Sequence, residues 1–264
     1  MINTGDSKYN SDDVKKLIES LRDGCNLFTE IIGSIVEWCN TFVKPMTQFF
    51  QEISKTLDAG IKNIIKPANA ISILGKHQYI QWEHMSDDFI DNIVKTDNVD
   101  KYLRLKYEKE GYQSFFEVAD LCIESDAVGY NKKVLCQAVN AFKNRDYDLS
   151  AIGIVVVIDG TLSRITGNPS HKISERVKSL LDEIDDDEEI SNEDYVLISL
   201  YLSLFKTIES FTASIKFDMN EPKGLNRHWM LHGRSNRKRT KLDCVKLMRF
   251  LYAVILLSEI EKTV

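Results

Sequence analysis

Leu149-Ser150-Ala151-Ile152-Gly153-Ile154-Val155-Val156-Val157-Ile158-Asp159-Gly160-Thr161-Leu162-Ser163-Arg164-Ile165 is the stretch on which the fold turns. It reads as a helix from about Leu149 to Ile165 that is apolar on nearly every side, and such a helix belongs at the centre of a bundle. Asp159 is the exception. A buried carboxylate is costly unless it is paired or hydrogen-bonded, so Asp159 either ties down a structural Arg or backbone group or serves a site. The unbroken apolar run, Ala151 to Ile158, is far shorter than the roughly 20 residues that cross a bilayer, so no membrane span is expected.

The flanks extend the helical pattern. On the N-terminal side Val134, Leu135, Ala138, Val139 and Phe142 form one helical face, and Arg145-Asp146-Tyr147-Asp148 makes a short turn. On the other side, after Gly167-Asn168-Pro169, come a shorter amphipathic segment (Ile173 to Leu181) and an acidic linker (Asp182 to Asp194). A helix rich in Leu, Ile and Phe then runs from Asp194 to about Phe217. The last helix carries its own start signal, Thr240-Lys241-Leu242-Asp243, in which Thr caps and Asp sits near N3. Upstream, residues 76–130 mix aromatic and charged residues in a compact helical connector. His77 and His84 have no nearby acids or cysteines at ligand spacing there and read as partly exposed surface histidines. From Val14 to about Ile65 apolar residues recur at nearly heptad spacing, started by Ser11-Asp12-Asp13, divided at Pro45 and ended at Pro67. The expected fold is all-α: an N-terminal amphipathic arm (1–75), a connector (76–130) and a helical bundle (131–264).

Global properties fit this plan. With 264 residues the chain can bury a substantial core as one large or two modest domains. Four prolines and twelve glycines are few, which favours long helices over many short strands. Cys25, Cys39, Cys122, Cys136 and Cys244 are odd in number, scattered and mostly set in apolar patterns, so they read as reduced core thiols. The N-terminus lacks the basic start and apolar run of a secretory signal, and a cytoplasmic setting is expected.

Charge is unevenly placed. The chain carries −6 overall, yet Lys223 to Arg249 is strongly basic. Within it lies Arg227-His228-Trp229-Met230-Leu231-His232-Gly233. Five residues on an ideal helix turn through about 140°, so Arg227 and His232 do not share a face. A short turn ended by Gly233, or two copies facing across a symmetry axis, could bring them together. A guanidinium binds phosphate oxygens through a fork of donors, and an imidazole moves a proton near neutral pH; neither requires a metal or other cofactor. Lys223, Arg234, Arg237, Lys238, Arg239 and Lys241 would attract a polyanion such as RNA. Trp229, Met230 and Leu231 read as core contacts. His228 and His232 are spaced to ligate zinc, but no third ligand is evident. A Gly-rich phosphate loop, a dinucleotide fingerprint and a serine-nucleophile elbow are absent.

Leu225-Asn226-Arg227-His228-Trp229-Met230-Leu231-His232-Gly233 resembles the Arg-x4-6-His motif of HEPN domains, small helical bundles found in many prokaryotic toxins, abortive-infection proteins and defence ribonucleases. The order of elements from residue 131 to 264, including Asn140-Ala141-Phe142 and Ile158-Asp159-Gly160, is similar too. The resemblance implies a metal-independent endoribonuclease. His232 matches the catalytic His and Arg227 the catalytic Arg, with Asn226, His228 and Asp159 in supporting places. It also implies a homodimer with the site at its interface, and leaves room for a protein inhibitor or sensor as partner. No Tyr stands at the second position after His232, so the Tyr modification of one toxin branch does not carry over. The alternative is a noncatalytic helical scaffold that binds RNA or protein, in which Arg227 and His232 only knit the bundle together.

Overall fold

A computed structural model of the chain describes residues 62–83, 85–168, 170, 175–176, 192–213 and 215–260. The chain divides into two compact units, residues 1–68 with 189–193 and residues 69–188 with 194–264. The described helices belong to the second, apart from the N-terminal ends of α1 and α7. In chain order these are α1 (Lys62–Lys76), α2 (Asp87–Lys95), α3 (Val99–Lys109), α4 (Gln113–Glu124), α5 (Lys132–Lys143), α6 (Tyr147–Thr166), α7 (Asn192–Phe211), the one-turn α8 (Arg227–Leu231) and α9 (Lys241–Ile260). A 3-10 segment, Asp126–Asn131, joins α4 to α5. Among the described residues there is no strand, and the fold is all-α. The N-terminal arm as far as residue 61, His84, the acidic run up to residue 191 and most of the segment Ile173 to Leu181 lie outside the described residues. Pro67, read as the end of the N-terminal pattern, lies inside α1, where it removes one backbone hydrogen bond near the helix start.

The decisive stretch forms α6, packed most closely against α5 and α9. Ala151, Ile154, Val155, Val157, Ile158 and Leu162 are buried on its inner side. The helix is not enclosed on every side, however. Leu149, Ile152 and Val156 are 66%, 39% and 42% exposed, and at spacings of three and four they make one apolar stripe on the outward face. Asp159 continues that face. The apolar character also runs beyond Ala151–Ile158: by length and composition alone, α6 is the one described helix able to cross a membrane, and its buried side is core.

Close approach of α5 and α6 depends on Gly153, where a Cβ would lie 2.8 Å from the Cβ of Ala138. Gly153→Ala is therefore expected to destabilise the fold by about 1–3 kcal/mol, although alanine returns roughly 1 kcal/mol of helix propensity. A lowered urea midpoint at unchanged slope is the measurement.

Connector and bundle share one core. Phe142 of α5 stacks on Phe115 of α4 at 4.0 Å between ring centroids, with Tyr112, Phe116 and Tyr147 against its edges. Tyr79, Ile80 and Trp82, between α1 and α2, are buried in the same core, and Arg249 of α9 lies over the Tyr79 and Trp82 rings. The capping box forms as read: Asp243 Oδ2 accepts from the Thr240 backbone N–H at 2.8 Å, and Thr240 Oγ1 accepts from Asp243 N–H at 3.2 Å.

One reading is extended and one changes. His77 is partly exposed, as read, and has an acidic partner far off in sequence: its Nδ1 is 3.0 Å from Asp100 Oδ1, which also accepts from Lys246 Nζ at 2.9 Å. Burial opposes ionisation of Asp100, but the hydrogen bonds from His77 and Lys246 outweigh it and bring the carboxyl down to about 2. Of the cysteines, Cys122 and Cys244 are buried and free, whereas Cys136 is exposed on α5. Burial pushes the Cys244 thiol up to about 12, so it is inert near neutral pH.

Candidate functional site

The basic segment between α7 and α9 is held from three directions. Gln78 adopts a left-handed φ of +59° in the turn after α1, and its amide clasps Leu225. Oε1 accepts from Leu225 N–H at 2.5 Å, and Nε2 donates to Leu225 C=O at 2.7 Å and to Ser210 Oγ at 2.8 Å. Gly224 has no side chain because a Cβ there would lie 2.6 Å from Gln78 Oε1. Asn226 then starts α8: its Oδ1 accepts from Trp229 N–H at 3.1 Å, an N-cap, while Nδ2 donates to the carbonyls of Ser210 and Ala213. Trp229 is buried, and its Nε1 donates to Ile215 C=O at 3.2 Å. These two side chains take up carbonyls at and beyond the end of α7, so the helix stops at Phe211 and Phe217 falls in the following loop.

The far end of α8 is equally defined. Gly233 has φ +63°, its N–H donates to Met230 C=O, and Arg234 N–H donates to Trp229 C=O, the pair of bonds that makes a Schellman stop. Asn226→Ala is expected to cost about 2–3 kcal/mol, one cap plus two stranded carbonyls, with Asn226→Asp intermediate because it keeps the capping oxygen. Denaturant unfolding of the three proteins side by side checks the order.

Arg227, at the first position of α8, points to α6. Its Nη2 lies 3.2 Å from Asp159 Oδ1, and Arg176 Nη2 lies 3.1 Å from the same oxygen. Arg176 Nη1 also donates to the Asp159 backbone carbonyl at 2.6 Å. One carboxylate thus holds two guanidinium groups, the buried Arg176 anchoring Asp159 and Asp159 orienting Arg227. Arg176 carried no signal in the sequence, since the segment around it reads only as amphipathic.

The imidazoles face another way. His228 and His232 stand one turn apart with ring centroids 4.5 Å from each other, and Phe217 stacks on His228 at 4.6 Å with its plane 2° from parallel. Phe217 also meets the His232 ring at 5.7 Å, and the Arg234 guanidinium lies 5.1 Å from the Phe217 centroid. Burial, then His232 and Arg227, hold the His228 imidazole below its ordinary range. Arg227 and His232 bear on different partners, Asp159 in one case and Phe217 in the other. Leu231, read as a core contact, is 37% exposed, while Trp229 and Met230 are buried as read.

The six cations expected to attract RNA are placed unequally, and Lys241 is half-buried with its Nζ over the Tyr112 ring. Lys223, Arg234 and Lys238 are exposed. Arg239 is buried, bonded to Ser235 and 3.7 Å from Glu221, and Arg237 Nη2 is 3.2 Å from Asp243 Oδ1. Glu221 itself accepts from Ser235 and from the Asn236 backbone, so Arg237 and Arg239 shape the loop that leads into α9. Among the described residues no group of three His, Cys, Asp or Glu could hold a metal ion.

Comparison with protein-family models, curated proteins and solved structures finds no match to this chain. Fold and site together define an all-α protein with an Arg, an acid and two imidazoles gathered about a one-turn helix.

Proposed function

We propose that the chain is a metal-independent endoribonuclease of the HEPN type, acting as a toxin or in antiphage defence. The observation that carries this reading is that one short turn presents Arg227, held by Asp159, and, on another side, the His228–His232 pair. The surrounding segment supports it: Lys216 to Arg239 has seven basic residues against two acidic ones, in a chain that is acidic overall. Asp159 engages one terminal nitrogen of Arg227 and leaves the guanidinium to bind a phosphate oxygen. His232, exposed at the end of α8, takes the proton from the ribose 2′-OH as O2′ attacks phosphorus. The P–O5′ bond breaks, the leaving oxygen takes a proton from solvent, and the products are a 2′,3′-cyclic phosphate and a 5′-OH. Arg227 stabilises the charge that builds on the phosphorane oxygens.

A second copy completes the site. The apolar stripe Leu149, Ile152 and Val156 is the docking face in this reading, because Asp159 lies on the same side of α6. Twofold pairing through that stripe would set Asp159, with the Arg227 it holds, beside the interface. The test is incubation of purified full-length protein with RNA in the presence of chelator, with its mass in solution measured in parallel. Cleavage to cyclic-phosphate ends by a dimer is expected. The reading fails if the wild type leaves RNA intact with and without chelator and neither Arg227→Ala nor His232→Ala relieves any growth defect on expression.

A further inference from the structure

Three buried polar atoms around Asp159 have no hydrogen-bond partner: its own Oδ1, Arg176 Nε and Arg227 Nε. The two guanidinium groups come within 3.1 and 3.2 Å of that oxygen, close enough for ion pairing, yet neither contact has the geometry of a hydrogen bond. Stability does not call for this arrangement. One arginine would neutralise Asp159, and a second guanidinium on a side chain only 4% exposed adds a buried charge that is costly to hold. The carboxylate next to it in sequence, Glu175, accepts from Ser170 instead. The side open to water belongs to Asp159 and Arg227, at 29% and 25% exposure, so a ligand meets Arg227 and not Arg176. An isolated Arg–Asp pair is neutral and attracts an anion weakly. Here two positive charges and one negative leave a net charge of +1, and the exposed cation is Arg227. That charge is felt beyond Asp159: after burial and His232, Arg227 is what holds the His228 imidazole low.

We infer that Arg176 is a positioning residue of the phosphate site: from behind Asp159 it offsets that carboxylate's charge, so that Asp159 orients Arg227 without cancelling the positive charge Arg227 presents to a phosphodiester. This rests on the ribonuclease reading for the identity of the ligand. Orientation and charge are thereby supplied by different groups. Asp159 gives the first at the expense of the second, and Arg176 restores it.

The experiment uses the full-length chain and a short fluorescently labelled 2′-O-methyl oligoribonucleotide, which lacks the attacking hydroxyl and cannot be cleaved, with binding read by anisotropy. Arg176→Gln removes the rear charge and should weaken binding roughly 5- to 50-fold, the effect of one unit charge acting across several ångströms of partly screened protein. Arg176→Lys, which keeps the charge but not the bond to the Asp159 carbonyl, should bind close to wild type. Asp159→Asn should bind at least as tightly as wild type while cleaving natural RNA more slowly, because charge is gained and orientation lost. Combining Arg176→Gln with Asp159→Asn returns the net charge to that of the wild type and should regain the affinity that Arg176→Gln alone has lost. An arginine that only supports the structure predicts the opposite order, with the double variant weaker than either single one. That order would overturn the inference, as would unchanged binding in Arg176→Gln. Thermal unfolding shows which variants fold. If Arg176→Gln does not, Asp159→Asn decides, and weaker binding there overturns the inference too. The expected affinities together with no cleavage of natural RNA by the wild type would sink the ribonuclease reading and leave the charge arrangement standing.

Discussion

In the ribonuclease proposed above, Arg227→Ala is expected to lower RNA cleavage by roughly 10²–10³-fold, the size of effect seen when one donor aimed at developing oxyanion charge is removed. The loss should fall on turnover rather than on folding. The hydrogen bonds that place α8 come from Gln78, Asn226, Trp229 and the Gly233 stop, and none involves the Arg227 side chain. Asp159 also keeps Arg176 as a partner when Arg227 is gone, so no unpaired carboxylate is left behind. Arg227→Lys should rescue little, because an ammonium is a point charge and cannot serve Asp159 and a phosphate oxygen with the spread of a guanidinium fork. Single-turnover cleavage rates at saturating protein, with melting curves of each variant, separate the chemical loss from a structural one. Asp159→Asn, which keeps the shape but weakens the hold on both guanidinium groups, should fall between wild type and Arg227→Ala.

Arg249→Ala should produce the largest loss of stability, about 4 kcal/mol. This figure combines a desolvated cation–π contact, a charged hydrogen bond and the cavity left behind. The guanidinium carbon lies 3.7 Å from the Trp82 centroid and 4.3 Å from that of Tyr79, and Nε donates to Ile80 C=O at 2.8 Å. Burial disfavours its charge, but Tyr79, Tyr107 and Glu83 more than compensate, and the group stays protonated. One side chain thus ties the strap between α1 and α2 to the last helix. Arg249→Met, which fills much of the volume, should recover part of the loss but not the bond to Ile80. Urea unfolding gives the energies, and a fall in Tm of about 10 °C is expected for the alanine variant. Because Gln78 lies at the start of the same strap, cleavage by Arg249→Ala should also fall as α8 loses its clamp.

Much of the fold was legible in local pattern. Helices α5, α6, α7 and α9 follow from apolar spacing, and the start of α9 from Thr240 and Asp243, because both signals lie within a few residues of one another. The end of α7 was not legible. Its stop depends on Asn226 and Trp229, more than ten residues away, and no local residue announces it. The outward face of α6 escaped for a different reason: composition says which residues are apolar, but not how many neighbours the fold supplies to cover them. In the site, residue type pointed to Arg227, His228, His232 and a paired Asp159. It could not reveal that Asp159 holds Arg227 itself, that Gln78 fixes Leu225, or that Phe217 meets His228, since each contact closes a separation that only the packed bundle defines. Arg237 and Arg239 show the converse limit, because a cation in a basic run looks the same whether it faces solvent or an acid.

The dual role of Asn226 has a genetic consequence. The same amide that finishes α7 opens the turn bearing Arg227, so its loss would strike abundance and chemistry together. Under selection against activity, substitutions at Asn226 should be recovered as poorly accumulating protein. Substitutions at Arg227 or His232 should instead be recovered as full-length, soluble and silent chains. The spectrum of spontaneous suppressors would thus separate positions that hold the turn from positions that use it, without any assay of the reaction.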